Sequence, residues 1–174
     1  MRRTLTTTTT TAVLLAALAG CSNSNPTTST SGAGKTSTPS STSTSLTAAT
    51  AFTQISAKVA TAKLSGTVTA ANDPDHLLGR PNQYTSKVTF SDSRIKASDV
   101  AGTSKGDVSR GGEIEVFADP AAAAARAKYI ETVTKSISAL AEYDYVHGTV
   151  LVRVSMLLTP TQAAGYKAAS DGIG

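Results

Sequence analysis

Tryptophan is absent from the chain, and cysteine occurs once, at Cys21. A single thiol excludes an internal disulfide and a thiolate metal site, so the folded part is held by its core alone. Three phenylalanines and five tyrosines leave Ala, Val, Leu and Ile to build most of that core. The apolar run from residue 12 to residue 19 falls far short of the roughly 20 residues that span a bilayer. No basic run with interleaved aromatics occurs, and the net charge is only +4. A nucleic-acid partner is therefore not expected.

What is present is organised around the lone cysteine. Arg2 and Arg3 form a positive n-region and residues 12–19 an h-region, the layout of an export signal. Leu18-Ala19-Gly20-Cys21 resembles the bacterial lipobox. The resemblance implies diacylglyceryl transfer to the Cys21 thiol, cleavage between Gly20 and Cys21, and acylation of the new amine. Two or more acyl chains anchor stably where one is marginal. The membrane is thus an expected partner, held through Cys21 on the extracytoplasmic face. Removing the two arginines from a net charge of +4 leaves +2 on the mature chain. Arg2-Arg3 leaves both the Sec and the twin-arginine routes open.

Three segments follow: a signal peptide over residues 1–20, a lipidated and disordered tether over 21–45, and one domain over 46–174. The tether is almost wholly Ser, Thr, Asn, Gly, Pro and Ala, too polar to fold. As a coil it spans about 25–30 Å, and its hydroxyls leave O-glycosylation open. Gly34-Lys35-Thr36 resembles the tail of a phosphate-binding loop, but Ser29 stands where that pattern needs glycine.

Within the domain, three- and four-residue apolar steps at Ala49, Phe52, Ile55, Val59 and Ala62 predict a helix over 46–63. Residues 67–70 are a weak strand candidate. Asp75 is the expected cap of a short helical turn. Alternation predicts strands over 84–90 and 113–118, separated by a long polar loop. On the first of them Tyr84, Ser86, Val88 and Phe90 share one face. Asp119-Pro120 predicts an N-cap and first turn for a helix to residue 140, with Ala123, Ala127, Ile130, Val133, Ile137 and Leu140 as its buried stripe. Strands over 143–147 and 149–156 meet at His147-Gly148, and Thr159 is expected to cap a helix over 160–169. The fold class is α+β, in αββαββα order, with a mainly antiparallel four-stranded sheet and helices on one face.

Residues 77–87 (LLGRPNQYTSK), 113–119 (EIEVFAD) and 143–148 (YDYVHG) resemble a group of small actinobacterial lipoproteins. The likeness covers about residues 70–170 and the plan of lipobox and tether. It implies an envelope location and supplies no catalytic residue.

Several residue patterns carry possible chemistry. Gly102-Thr103-Ser104-Lys105-Gly106 matches a nucleophile elbow, yet no apolar strand precedes it and no helix follows. Ser93-Arg94-Ile95-Lys96 matches S-x-x-K without its companion motifs. His76 with Asp73 and Asp75 is a weak metal candidate, better read as turn chemistry. Tyr84, Tyr143 and Tyr145 fit core positions better than a ligand groove. No metal, cofactor or catalytic residue is expected. The reading that follows is a non-catalytic binding or interaction domain whose partner is an envelope protein or wall polymer. A small-ligand or peptide binder and a wall-acting enzyme remain the alternatives.

A turn at His147-Gly148 would set Tyr145 opposite Val150 and Tyr143 opposite Val152. The other face would then pair Asp144 with Leu151 and Glu142 with Arg153. With helices on one side only, that polar face stays open. Lys87, Asp144, Leu151 and Arg153 are its expected centre and the expected interaction surface.

Overall fold

The structure is a computed structural model and describes residues 45–173. The residues expected to form a signal peptide, Gly20, Cys21, the Gly34-Lys35-Thr36 motif and all but the last residue of the expected tether lie outside the described residues.

Helix α1 (Ala48–Lys58) opens on a capping box between Thr47 and Thr50 and buries Ala48, Ala51, Phe52 and Ile55. It ends five residues earlier than its apolar spacing predicts, and Ala49 faces solvent. The chain then turns, and strand β1 (Ala62–Thr67) pairs antiparallel with β2 (Tyr84–Asp92). This is a fifth strand where four were expected. Val59 and Ala62 keep helical spacing, but pairing along an open sheet edge decides the conformation.

Strands β3 (Gly111–Phe117), β4 (Glu142–His147) and β5 (Val150–Ser155) complete an antiparallel sheet of order β1-β2-β3-β5-β4. Helix α2 (Pro120–Ser136) starts as expected: the Asp119 carboxylate accepts from the Ala122 N–H. It stops four residues short of Leu140, and a 3₁₀ turn, Ser138–Leu140, follows. Helix α3 (Pro160–Ser170) is capped by Thr159 with Gln162.

Helices α1 and α3 cover one face of the sheet. The rings of Phe52 and Tyr166 lie 5.8 Å and 5.3 Å from that of Phe90, over Val88, Ile114, Val152 and Val154. Asp92 ties α3 down. Its carboxylate accepts from the Tyr166 hydroxyl at 2.6 Å, from Thr61 and from the Arg94 guanidinium. Burial pushes this carboxyl up, but those donors outweigh it and hold it at about 2.

Helix α2 covers the other face, which corrects the expectation of helices on one side. Its Ala122, Ala123 and Ile130 form a second core with Leu151, Phe117 and Tyr84. An apolar helix stripe must be buried against something, and Leu151 with Phe117 supplies the surface. Tyr84 reaches that side because the β2–β3 register shifts between Tyr84 and Ser86. A one-residue bulge turns a side chain to the opposite face. Its ring meets Phe117 edge-on at 6.3 Å.

The β4–β5 hairpin turns at Gly148-Thr149, one residue beyond the expected place, and pairs His147 with Val150. Gly148 has φ +53 and takes the first loop position, as a II′ turn requires. Asp144 therefore faces Arg153, and Tyr145 faces Val152. The slip is two residues along β5, so partners change while faces do not.

Gly112 lies opposite Val154, where a Cβ would overlap the Arg153 carbonyl oxygen and press on the Phe90 ring. Gly112→Ala is expected to destabilise the domain by about 1–3 kcal/mol. The urea midpoint should fall with its slope unchanged.

Candidate functional site

The sheet face beneath α2 is built from charged residues at every second position of adjacent strands. Lys87 on β2, Glu113 and Glu115 on β3, Arg153 on β5, and Glu142 and Asp144 on β4 share that side. Arg126 comes down from α2 and Asp75 comes in from the turn after β1. The Lys87 ammonium lies 3.1 Å from Asp75, 2.8 Å from Glu113 and 3.4 Å from Glu115. Arg126 bonds Glu115 at 3.2 Å and Asp75 at 3.1 Å. Arg153 bonds Glu113 at 2.7 Å and grips both oxygens of Glu142, at 2.9 and 3.1 Å.

This is not an open surface. Lys87 is 1% exposed and Leu151 0%, and the Arg153 guanidinium is turned into the cluster. The interaction face expected at Lys87, Asp144, Leu151 and Arg153 is corrected accordingly: α2 covers it. The four residues do share one side, as expected, but three of them serve a buried charge cluster and Leu151 a core.

Five carboxyl groups share three cations here. The imbalance shows at the β4 end. Burial pushes Glu142 up, and Asp144 and Glu113 push it further against the pull of Arg153, to about 7. Burial likewise lifts Asp144 to about 6, and one of its oxygens is buried with no hydrogen-bond partner. Glu113 is raised for the same first reason. Burial opposes the Lys87 charge, but Glu113 and Glu115 outweigh it and keep the ammonium protonated.

Above the cluster opens a cleft of about 1170 Å³. Its walls are the last turns of α2, the 3₁₀ turn after it, the residues following β5, and the loop around residues 99–109. Lys87, Thr89, Glu113, Glu142 and Arg153 reach its lining from the sheet. Seven large apolar side chains are exposed among the described residues, and Tyr129, Leu140, Met156 and Leu157 of these line this cleft. Ile137 and Leu140 were expected in the core. The early end of α2 leaves them outside it.

The loop of the cleft is ordered by one side chain. Arg110 donates to the carbonyls of Ser104, Thr103 and Val100 at 2.9, 2.8 and 3.1 Å. Gly102–Gly106 thus wraps a guanidinium. Ser104 is exposed, and the strand and helix of a nucleophile elbow are not beside it. Ser93 and Lys96 are exposed in the turns after β2.

The turn Asp73-Pro74-Asp75 is capped by Asp73 rather than Asp75. The Asp73 carboxylate accepts from the N–H groups of Leu77 and Leu78 at 2.8 Å and from the Tyr84 hydroxyl at 2.7 Å. Burial pushes it up, yet these donors bring it down to about 2. With Asp75 committed to Lys87 and Arg126, His76 stands exposed at φ +53. Among the described residues no group of three His, Cys, Asp or Glu is placed to hold a metal. Tyr143 and Tyr145 pack against the first core, and Tyr84 belongs to the second.

Glu113, Glu115 and Arg126 were missed in the sequence, where Asp75 was read as a cap and a weak metal candidate. One signal was there: charged residues alternate with Ile114 and Val116 on a strand, opposite the one lysine of β2. Comparison of the chain with protein-family models, with curated proteins and with solved structures finds no match.

Proposed function

We propose that the chain is a lipid-anchored extracytoplasmic lipoprotein with a non-catalytic binding domain, and that the cleft under the end of α2 is its binding site. The single observation that carries the site is the gathering of Tyr129, Leu140, Met156 and Leu157 at one concave surface over polar groups. Exposed apolar side chains that cluster over a pocket mark a binding surface. This favours a small-ligand binder over recognition through an open sheet face. The anchor rests on residues 18–21 and their resemblance to a lipobox.

Two measurements test the reading. Cys21→Ala is expected to move the protein from the detergent phase to the aqueous phase, because the thiol is the acyl acceptor. Equal partitioning of both forms would sink the anchor. The neutral dye Nile red is expected to brighten with the acyl-free mature chain, residues 21–174 carrying Cys21→Ser. Leu140→Asp with Met156→Asp should remove that signal while stability changes by less than about 0.5 kcal/mol per site.

A wall-acting enzyme is the second reading, and Glu142 favours it. Its carboxyl lines the cleft and stands at about 7, the range of a general acid. Both of its oxygens are held by Arg153, which leaves it a structural partner first. Wall hydrolysis that Glu142→Gln abolishes would establish the enzyme.

A further inference from the structure

The polar groups of the cleft are unequal in what they have left to give. Lys87 has three N–H donors, and three carboxylates surround it. Arg153 spends Nε, Nη1 and Nη2 on Glu113 and Glu142. Arg126 spends Nε and Nη2 on Glu115 and Asp75. Among the described residues Arg126 Nη1 alone keeps free donors, so an anion entering the cleft would meet one guanidinium nitrogen and carboxylates in excess.

Acceptors are in the opposite state. Both bonds to Asp75 fall on Oδ2, and both bonds to Glu113 fall on Oε2. Oδ1 of Asp75 and Oε1 of Glu113 accept no hydrogen bond among the described residues, and both residues line the cleft. The hydroxyl of Ser109, also lining it, is buried without a partner. The mouth is apolar, through Tyr129, Leu140, Met156 and Leu157.

Taking the cleft as the binding site, we infer that its ligand is a small amphiphile with an ammonium head, seated toward Asp75 and Glu113, and an apolar chain along the mouth. A fourth cation brings the count of cations nearer to the five carboxyl groups. A volume of about 1170 Å³ slightly exceeds the usual range of about 300–1,000 Å³ for small-molecule sites, so an alkyl chain has room.

Three probes of equal chain length separate the outcomes: octylammonium, octanoate and octyl glucoside, each titrated calorimetrically into the acyl-free mature chain. Octylammonium is expected to bind tightest, and octanoate not at all. Asp75→Asn should weaken octylammonium about fivefold and leave octyl glucoside unchanged. The Asp75 side chain is 36% exposed, and Lys87 keeps Glu113 and Glu115 without it, so this variant keeps the fold, and a cooperative thermal melt verifies that. Leu140→Asp should weaken octyl glucoside. Octanoate binding as well as octylammonium, or octylammonium indifferent to Asp75→Asn, would overturn the ammonium head. If octyl glucoside still binds and Leu140→Asp still weakens it, the cleft itself stands. No binding of any probe would remove both the head and the site.

Discussion

Lys87→Ala is expected to cost about 3–5 kcal/mol of folding stability, a large part of the roughly 5–15 kcal/mol that holds a domain of ordinary size. The ammonium is buried and touches Asp75, Glu113 and Glu115. Its removal leaves five carboxyl groups with two cations, and Glu115, 0% exposed, has only the two arginines left. Unpaired buried charge is the costly outcome, whatever the intact cluster contributes. The Tyr84 ring also loses the cation 5.2 Å from its centroid. Charge reversal at Lys87 and Arg153 together should abolish folding, whereas an open sheet face would have left the thermal midpoint unchanged. Lys87→Met with Glu115→Gln should recover part of the loss, since it removes one of the excess carboxylates along with the cation. Urea unfolding of the three variants decides the matter. A Lys87→Ala loss below about 1 kcal/mol, typical of exposed pairs, would show that α2 does not seal this face.

The second large effect is an unusual pH profile. Stability is expected to be greatest near about pH 4–5 and to fall toward neutrality. Glu142 rises from 4.5 to about 7 on folding, and Asp144 from 3.8 to about 6. A carboxyl whose pKa is raised binds its proton more tightly when folded. Its contribution is complete below the unfolded value and is lost as pH climbs through the folded one. Between about pH 4.5 and 7 the unfolded chain gains charge that the folded chain resists. The loss is on the order of 3 kcal/mol for this coupled pair.

Asp73 and Asp92 act on the other side. Both lie at about 2 against an ordinary 3.8. Their contribution is present above about pH 4 and is lost as pH drops toward 2. Denaturant melts from pH 3 to pH 8 test the whole curve. Glu142→Gln should flatten the limb between pH 5 and 7 and leave the acid limb in place. Stability that rises from pH 5 to 7 would contradict the charge imbalance of the cluster.

Local signals in the chain were enough for much of the frame. Thr159 and Asp119-Pro120 marked two helix starts because a cap acts on backbone groups within three residues of itself. Alternation located β2, β3 and both strands of the last hairpin, and glycine announced its turn. The face of each hairpin residue was also legible, since a strand's period is two and survives a two-residue slip. The lipobox-like residues 18–21 and the polar composition of residues 22–45 are motif and composition, and the anchor and tether they suggest are expectations that need no fold.

Whatever depends on residues far apart in the chain was settled only by packing. Ala62–Thr67 is a strand because β2 offers an edge 20 and more residues away, not because of its own pattern. Tyr84 crosses to the α2 side through a bulge that only the β2–β3 pairing reveals. The decisive case is the polar sheet face. Lys87, Glu113, Glu115 and Arg153 look like solvent-facing residues by local pattern, because polarity in alternate positions ordinarily means water. Three-dimensional packing brings α2, with Arg126, over them and turns the same charges into one another's solvent. Burial of an ion depends on its countercharges and on what covers it, and both come from distant parts of the chain.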